Sequence, residues 1–225
     1  MEYTIIGDIA QSVRLDFQPG EYAWASKGAL MAHVPGISWR LRVPGGIGGA
    51  INRSFAGEGL SLTYIEAQQP GQYALLTANQ PGHITTWDLA TQGPVITTRG
   101  AFLAAWGENL DISVTIARRG CAAFFGGAGL FLQRIAGNGT VLVHGSGDFT
   151  EHQLAQGEQL TVSTGNLAAF ADQVDYNIQT VGGVVKTLFG GEGLFMTRLT
   201  GPGRVLLQTL KRRRISSSAT VNTAG

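Results

Sequence analysis

The phrase Phe55-Ala56-Gly57-Glu58-Gly59-Leu60 returns as Phe125-Gly126-Gly127-Ala128-Gly129-Leu130 and again as Phe189-Gly190-Gly191-Glu192-Gly193-Leu194. The phenylalanines stand 70 and then 64 residues apart, so the period is that of a whole supersecondary unit and not of a single turn. Upstream of each phrase lies a turn and then an apolar stretch with a leading glycine. These are Pro19-Gly20-Glu21 before Gly28-Ala29-Leu30, Gln92-Gly93-Pro94 before Gly100-Ala101-Phe102, and Gln156-Gly157-Glu158 before Gly165-Asn166-Leu167. The distance from that glycine to the phrase is 27, 25 and 24 residues. Downstream, each phrase is followed by a second turn and an apolar strand: Pro70-Gly71 before Tyr73 to Leu76, Asn138-Gly139 before Val141 to Val143, and Pro202-Gly203 before Val205 to Leu207. Such matched spacing predicts one unit present three times, over residues 1–82 (with an N-terminal closing strand), 83–145 and 146–210, followed by a basic tail, 211–225, expected to be disordered.

Between the turns the periodicity is two. Val13, Leu15 and Phe17 alternate with polar residues, as do Leu110, Ile112, Val114 and Ile116, the pattern of strands that bury one face. The 33 glycines and the Pro-Gly, Asn-Gly and Gly-Gly pairs leave little room for helices. The fold class is therefore all-β: three repeated sandwich-like or barrel-like units in a pseudo-threefold arrangement. One unit is at the size where a single core is marginal, so the three are expected to pack on one another. Tyr3-Thr4-Ile5-Ile6 precedes Val13 to Phe17 much as Val141 to Val143 precedes Phe149, and is expected to pair within the sheet system.

Charged residues make up 14% of the 225, against roughly a quarter in an average soluble domain. So little charge suggests surface hidden in a homo-oligomer or resting against something apolar. The net charge of +1 gives no global field for nucleic acid or anionic lipid. Cys121 is the only cysteine, lies in the apolar run Cys121-Ala122-Ala123-Phe124-Phe125, and reads as core packing in a reducing, cytoplasmic setting. Met1 to Asp8 has neither a basic start nor a long apolar core, so no leader is expected there.

The Pro-Gly-Glu turn, the Gly45 to Gly49 stretch, the Arg53 to Leu60 phrase and the late Gly191 to Phe195 run with Gly201-Pro202-Gly203 occur in an order and spacing that resemble the altered-inheritance-of-mitochondria 24 family. The resemblance covers about residues 3 to 210. It implies an all-β protein of three repeated units, similar to the tryptophan RNA-binding attenuation protein-like fold, with no assigned reaction in bacterial members. Mitochondrial relatives are linked to inner-membrane organisation, a role not carried over to a chain in which no targeting segment is read. RNA binding does not follow from the fold either.

Candidate chemistry is sparse. The glycine phrases lack the Gly-Lys-Ser/Thr ending of a nucleotide loop and the following helix of a dinucleotide fingerprint, so tight turns explain them better than a phosphate site. Glu58 and Glu192 occupy matching positions, but the middle copy has Ala128 and nothing brings the two carboxylates together. His33, His83, His144 and His152 include no His-x-His pair. A metal between His144 and His152, beside Glu151, is weaker than a solvated turn. His144-Gly145-Ser146-Gly147-Asp148 holds the residue types of a hydrolase triad in what reads as one compact turn, where neighbours cannot align. No catalytic, cofactor or metal residue is assigned.

Lys211-Arg212-Arg213-Arg214 is the strongest local charge and the candidate contact for an anionic partner. It lacks the interleaved aromatics of a base-stacking surface, so nucleic acid is the weaker partner. Phe102 to Trp106 and Leu130 to Leu132 are more apolar than a half-exposed strand needs, which fits core or a subunit interface. The reading is a non-enzymatic scaffold or interaction protein that self-associates and binds a protein or a peripheral membrane partner. The alternatives are a small-molecule or metal-dependent enzyme of β-barrel type, and a nucleic-acid binder acting through the tail.

Overall fold

A computed structural model describes residues 1–44, 61–116, 131–180 and 195–212. All three glycine phrases, with Glu58, Ala128 and Glu192, lie outside the described residues, as do Cys121, Arg213 and Arg214. The chain is almost all β, as its alternation and turn density predict. The first stretch contains β1 (Glu2–Ile6), β2 (Ser12–Phe17), β3 (Tyr22–Ala25), β4 (Leu30–His33), β5 (Ile37–Arg42), β6 (Leu62–Ala67) and β7 (Gln72–Thr77). The second has β8 (Gly82–Asp88), one helical turn α1 (Leu89–Gln92), β9 (Val95–Thr98), β10 (Phe102–Ile116) and β11 (Phe131–Ser146). The third has β12 (Phe149–Leu154), β13 (Gln159–Ser163), a 3-10 turn at Thr164–Asn166, β14 (Leu167–Ala171), β15 (Asp175–Thr180), β16 (Phe195–Thr200) and β17 (Gly203–Gln208). The helical turn forms because Asp88 caps it, its carboxylate accepting from the Ala90 amide at 2.9 Å, and Gly93 ends it at φ 72°.

All pairing between named strands is antiparallel, and one scheme recurs in the three stretches. Counting from β2, β8 and β12, the last strand of each is flanked by its first and third: β2·β7·β4, β8·β11·β10 and β12·β17·β14. The remaining strands form the other layer: β3·β6·β5, β9·β11·β10 and β13·β16·β15. Even an irregularity recurs. The third strand carries a one-residue bulge at Met31, Leu103 and Ala168, seen where Leu30↔Leu76 steps to Ala32↔Leu75, Phe102↔Val143 to Ala104↔Leu142, and Leu167↔Leu207 to Ala169↔Leu206.

The stretches also share ladders across their boundaries. β3 pairs with β10 through Trp24↔Ala105 and Ala25↔Ala104, and β9 pairs with β14 through Ile96↔Phe170 and Thr97↔Ala169. β1 lies against β2 from Glu2↔Asp16 to Ile6↔Ser12, so the N-terminal strand belongs to the sheet. In the middle stretch two strands run on into both layers. β10 and β11 can do so because Gly107 faces Gly139 where they bend, and a side chain on Gly107 would run into the Asn138 carbonyl and the Gly139 Cα.

Two apolar clusters fill the layers. One joins Trp87, Phe102, Val141 and Val143 of the middle stretch to Leu167, Phe170, Leu199 and Val205 of the last. The other joins Val13, Leu15, Phe17 and Leu76 to Leu103, Ala104 and Leu142. Phe102 to Trp106 are all buried between them, which corrects the interface reading of this run. Its two faces are consumed by two different cores. Leu132 is likewise fully buried and Phe131 partly so.

Candidate functional site

At the carboxyl end of β17 the chain turns inward rather than out to solvent. Lys211 is exposed, but Arg212 is half-buried and its guanidinium lies against His144 near the end of β11. Its Nη2 donates to His144 Nδ1 at 3.0 Å and to the His144 carbonyl at 2.6 Å, and its Nε donates to Gln208 Oε1 at 3.1 Å. The Arg212 amide donates to the Gly165 carbonyl at 3.2 Å, and Gln208 Nε2 donates to the same carbonyl at 2.9 Å. Gly100, at φ 78°, leaves room for Nη1, since a Cβ there would sit 2.6 Å from it. No ion pair with a carboxylate is found for Arg212 among the described residues. Burial lowers its pKa to about 10, so it stays charged at neutral pH.

His144 is fully buried in β11 opposite Ile84. Because arginine can only donate, Nδ1 must accept, which places the imidazole proton on Nε2. That atom has no hydrogen-bond partner among the described residues. Burial, then the Arg212 charge, push the His144 pKa down to about 4, while the Gln80 backbone works the other way without making a hydrogen bond to Nε2. The ring is neutral at pH 7.

The triad-like motif is not one compact turn, and this corrects the sequence reading. His144, Gly145 and Ser146 finish β11, paired with Ile84, His83 and Gly82; only Gly147 and Asp148 link to β12. Ser146 Oγ donates to Gln80 Oε1, and the Ser146 amide donates to Gln208 Oε1 at 3.0 Å. Asp148 sits 3.0 Å from His83 Nδ1, not on His144. The serine, the buried imidazole and the acid thus each face different partners. His33 has its Nδ1 3.0 Å from the Val34 carbonyl, and His152 lies in β12 opposite Val205. Among the described residues no three His, Cys, Asp or Glu side chains come together as a metal site.

A second surface was not singled out by sequence reading. β5 alternates, and its Trp39 and Leu41, with Val43 just beyond, stand about half exposed at 52%, 51% and 48%. Arg40 and Arg42 take the opposite face, with their guanidinium carbons 5.3 and 4.8 Å from the Tyr64 ring centre. In the other stretches the register-equivalent residues, opposite Ile135 and Leu199 as Trp39 is opposite Ile65, are Ile112 and Tyr176. Ile112 is buried and Tyr176 packs against the same core. The signal for the row was present as Ile37-Ser38-Trp39-Arg40-Leu41-Arg42-Val43, a period of two, but period alone does not tell a covered face from an open one.

With this geometry in view, residues 3–210 match the family model described as Mitochondrial biogenesis AIM24. The chain belongs to the AIM24 family. It is 27% identical over 213 residues to an uncharacterised protein of Streptococcus pyogenes, covering 92% of this chain and 84% of that one. It is also similar to a Streptococcus pyogenes protein solved by X-ray crystallography, at a TM-score of 0.75 and 24% identity, over 93% of this chain and 94% of the other. That likeness carries the AIM24 fold and nothing of a reaction. No helix among the described residues of this AIM24 chain is long and apolar enough to cross a membrane.

Proposed function

We propose that the chain is a non-enzymatic, cytoplasmic interaction protein that self-associates and docks a protein partner. The single observation that carries this is the half-exposed row Trp39, Leu41 and Val43 along and just beyond the edge strand β5, where the counterparts of Trp39 in the other two stretches, Ile112 and Tyr176, are buried and partly buried against a core. Large apolar side chains in a contiguous row leave apolar area in water, and a partner that covers it recovers roughly 25 cal/mol per Å². The half-buried Arg212 guanidinium and the buried His144 ring hold one another, which supports the same reading.

Light scattering of the wild-type chain at micromolar concentration is expected to give a mass above that of one chain. Trp39→Asp with Leu41→Asp, which puts charge into the row without touching either core, is expected to lower it. A wild-type monomer would sink the self-association, and flotation of the wild type with neutral or anionic vesicles, abolished by the same pair of substitutions, would replace the protein partner with a membrane.

A further inference from the structure

Two strands end their sheets without the neighbour that their counterparts have. β3 and β9 each use their free edge to hold the third strand of the following stretch, β10 and β14. β13 is the counterpart of β3 and β9, and β4 is the counterpart of β10 and β14, but among the described residues β13 pairs only with β16 and β4 only with β7. The difference shows in exposure. Phe102 to Trp106 and Leu167 to Ala171 are buried throughout, whereas in β4 Met31, Ala32 and His33 are exposed, Met31 at 63%.

The sequences of these two edges mark them further. Exposed edges are ordinarily blunted by charge or proline, because their free N–H and C=O groups template another strand. The other outer strands follow that rule: β1 carries Glu2, β5 Arg40 and Arg42, β8 Asp88, β12 Glu151 and β15 Asp175. β4 (Leu-Met-Ala-His) and β13 (Gln-Leu-Thr-Val-Ser) contain no Asp, Glu, Lys, Arg or Pro. They are the uncharged pair among the described edges.

We infer that β4 of one copy of this chain pairs antiparallel with β13 of a second copy, and that a twofold dimer with two such junctions results. The occupant is a second copy because each chain offers one edge of each kind and does not join its own two. The register follows from the existing junctions. Ala104 and Ala169, the residues just after the bulge, face Ala25 and Thr97, which in turn face the buried polar residues Thr63 and Gln133. In the last stretch the buried polar residue at that position is Thr197, and it faces Val162. Ala32 therefore meets Val162 of the second copy, and His33 meets its Thr161. This rests on the self-association proposed above and adds a backbone junction to the apolar row that carries it.

The test uses cysteine pairs in full-length chain carrying Cys121→Ser. His33→Cys and Thr161→Cys, both at exposed positions, are made in separate chains, mixed and oxidised. A cross-linked product of doubled mass is expected from the mixture and from neither variant alone. A mass of two chains by light scattering with no such cross-link would overturn the β4–β13 junction while leaving self-association standing. A monomer by both methods would overturn both. A chain carrying both substitutions that cross-links within itself as a monomer would show closure on its own β13, and would also overturn the inference. If the variants do not fold, hydrogen exchange on the wild type decides the question. Protection of residues 30–33 and 159–163 must rise together with protein concentration, and concentration-independent exchange refutes the junction.

Discussion

At the residue scale, the most consequential pair is His144 with Arg212, a buried neutral imidazole that accepts from a buried cation. In an unfolded chain His144 titrates near its ordinary value of 6.5, and in the folded chain near about 4. Above pH 6.5 both states are neutral at this ring and it contributes no pH dependence. Between 6.5 and 4 the unfolded state binds the proton and the folded state does not, so stability falls as pH falls; below 4 the loss levels off. The difference amounts to about 3 kcal/mol. Thermal melts of the wild type from pH 7 to pH 4 are expected to show this loss above the background drift. His144→Asn, whose side-chain oxygen can accept from Arg212 without titrating, is expected to remove it. Equal slopes for the two chains would show that the ring is not held neutral.

The element scale is governed by where strands stop, bend or stay uncovered. β10 and β11 pass through both layers only because Gly107 and Gly139 let their backbones approach at the bend, next to a register shift between Glu108 and Asp111 and to Asn109 at φ 52°. Gly107 is itself at φ 142°, so Gly107→Ala adds backbone strain to a collision with backbone atoms that cannot swing away. A loss of about 3 kcal/mol is expected, read as a fall of about 10 °C in melting temperature. A change within one degree would mean that the bend tolerates a side chain. β5 illustrates the limit of local patterning. Its alternation matches that of β2, but β2 buries Val13, Leu15 and Phe17 while β5 leaves Trp39 and Leu41 half in water.

Across the whole molecule, the antiparallel ladders of the three stretches are stitched together by β3·β10 and β9·β14. The carboxyl end is tied to this body, which changes how its basic segment must be tested. Removing residues 211–225 would delete Arg212 with the rest, and so would confound a lost cation with a lost anchor. Truncation after Arg212 separates the two. The shortened chain is expected to melt as the full chain does but to be retained less on anionic vesicles or RNA at low salt. Unchanged retention at low salt would end the case for Arg213 and Arg214 as an anionic-partner contact.

The sequence by itself determined the element type and much of the order. Period-two runs punctuated by Gly and Pro admit little but short strands, and the spacing around the three phrases marks corresponding segments before any contact is known. It also carried the family match from residue 3 to 210. The phrases themselves fall outside the described residues. What only the tertiary structure decided is which faces are covered. Phe102 to Trp106 fitted core or a subunit interface by sequence and are core; Trp39 and Leu41 alternate like any half-buried strand and are exposed. Arg212 looked like one of four solvated cations and is bound to His144, 68 residues away. A strand's alternation is local, but its burial depends on which distant strand lies against it. That is why β4 and β13, as free of charge as their paired counterparts β3, β9 and β14, are recognised as open edges only in the folded chain.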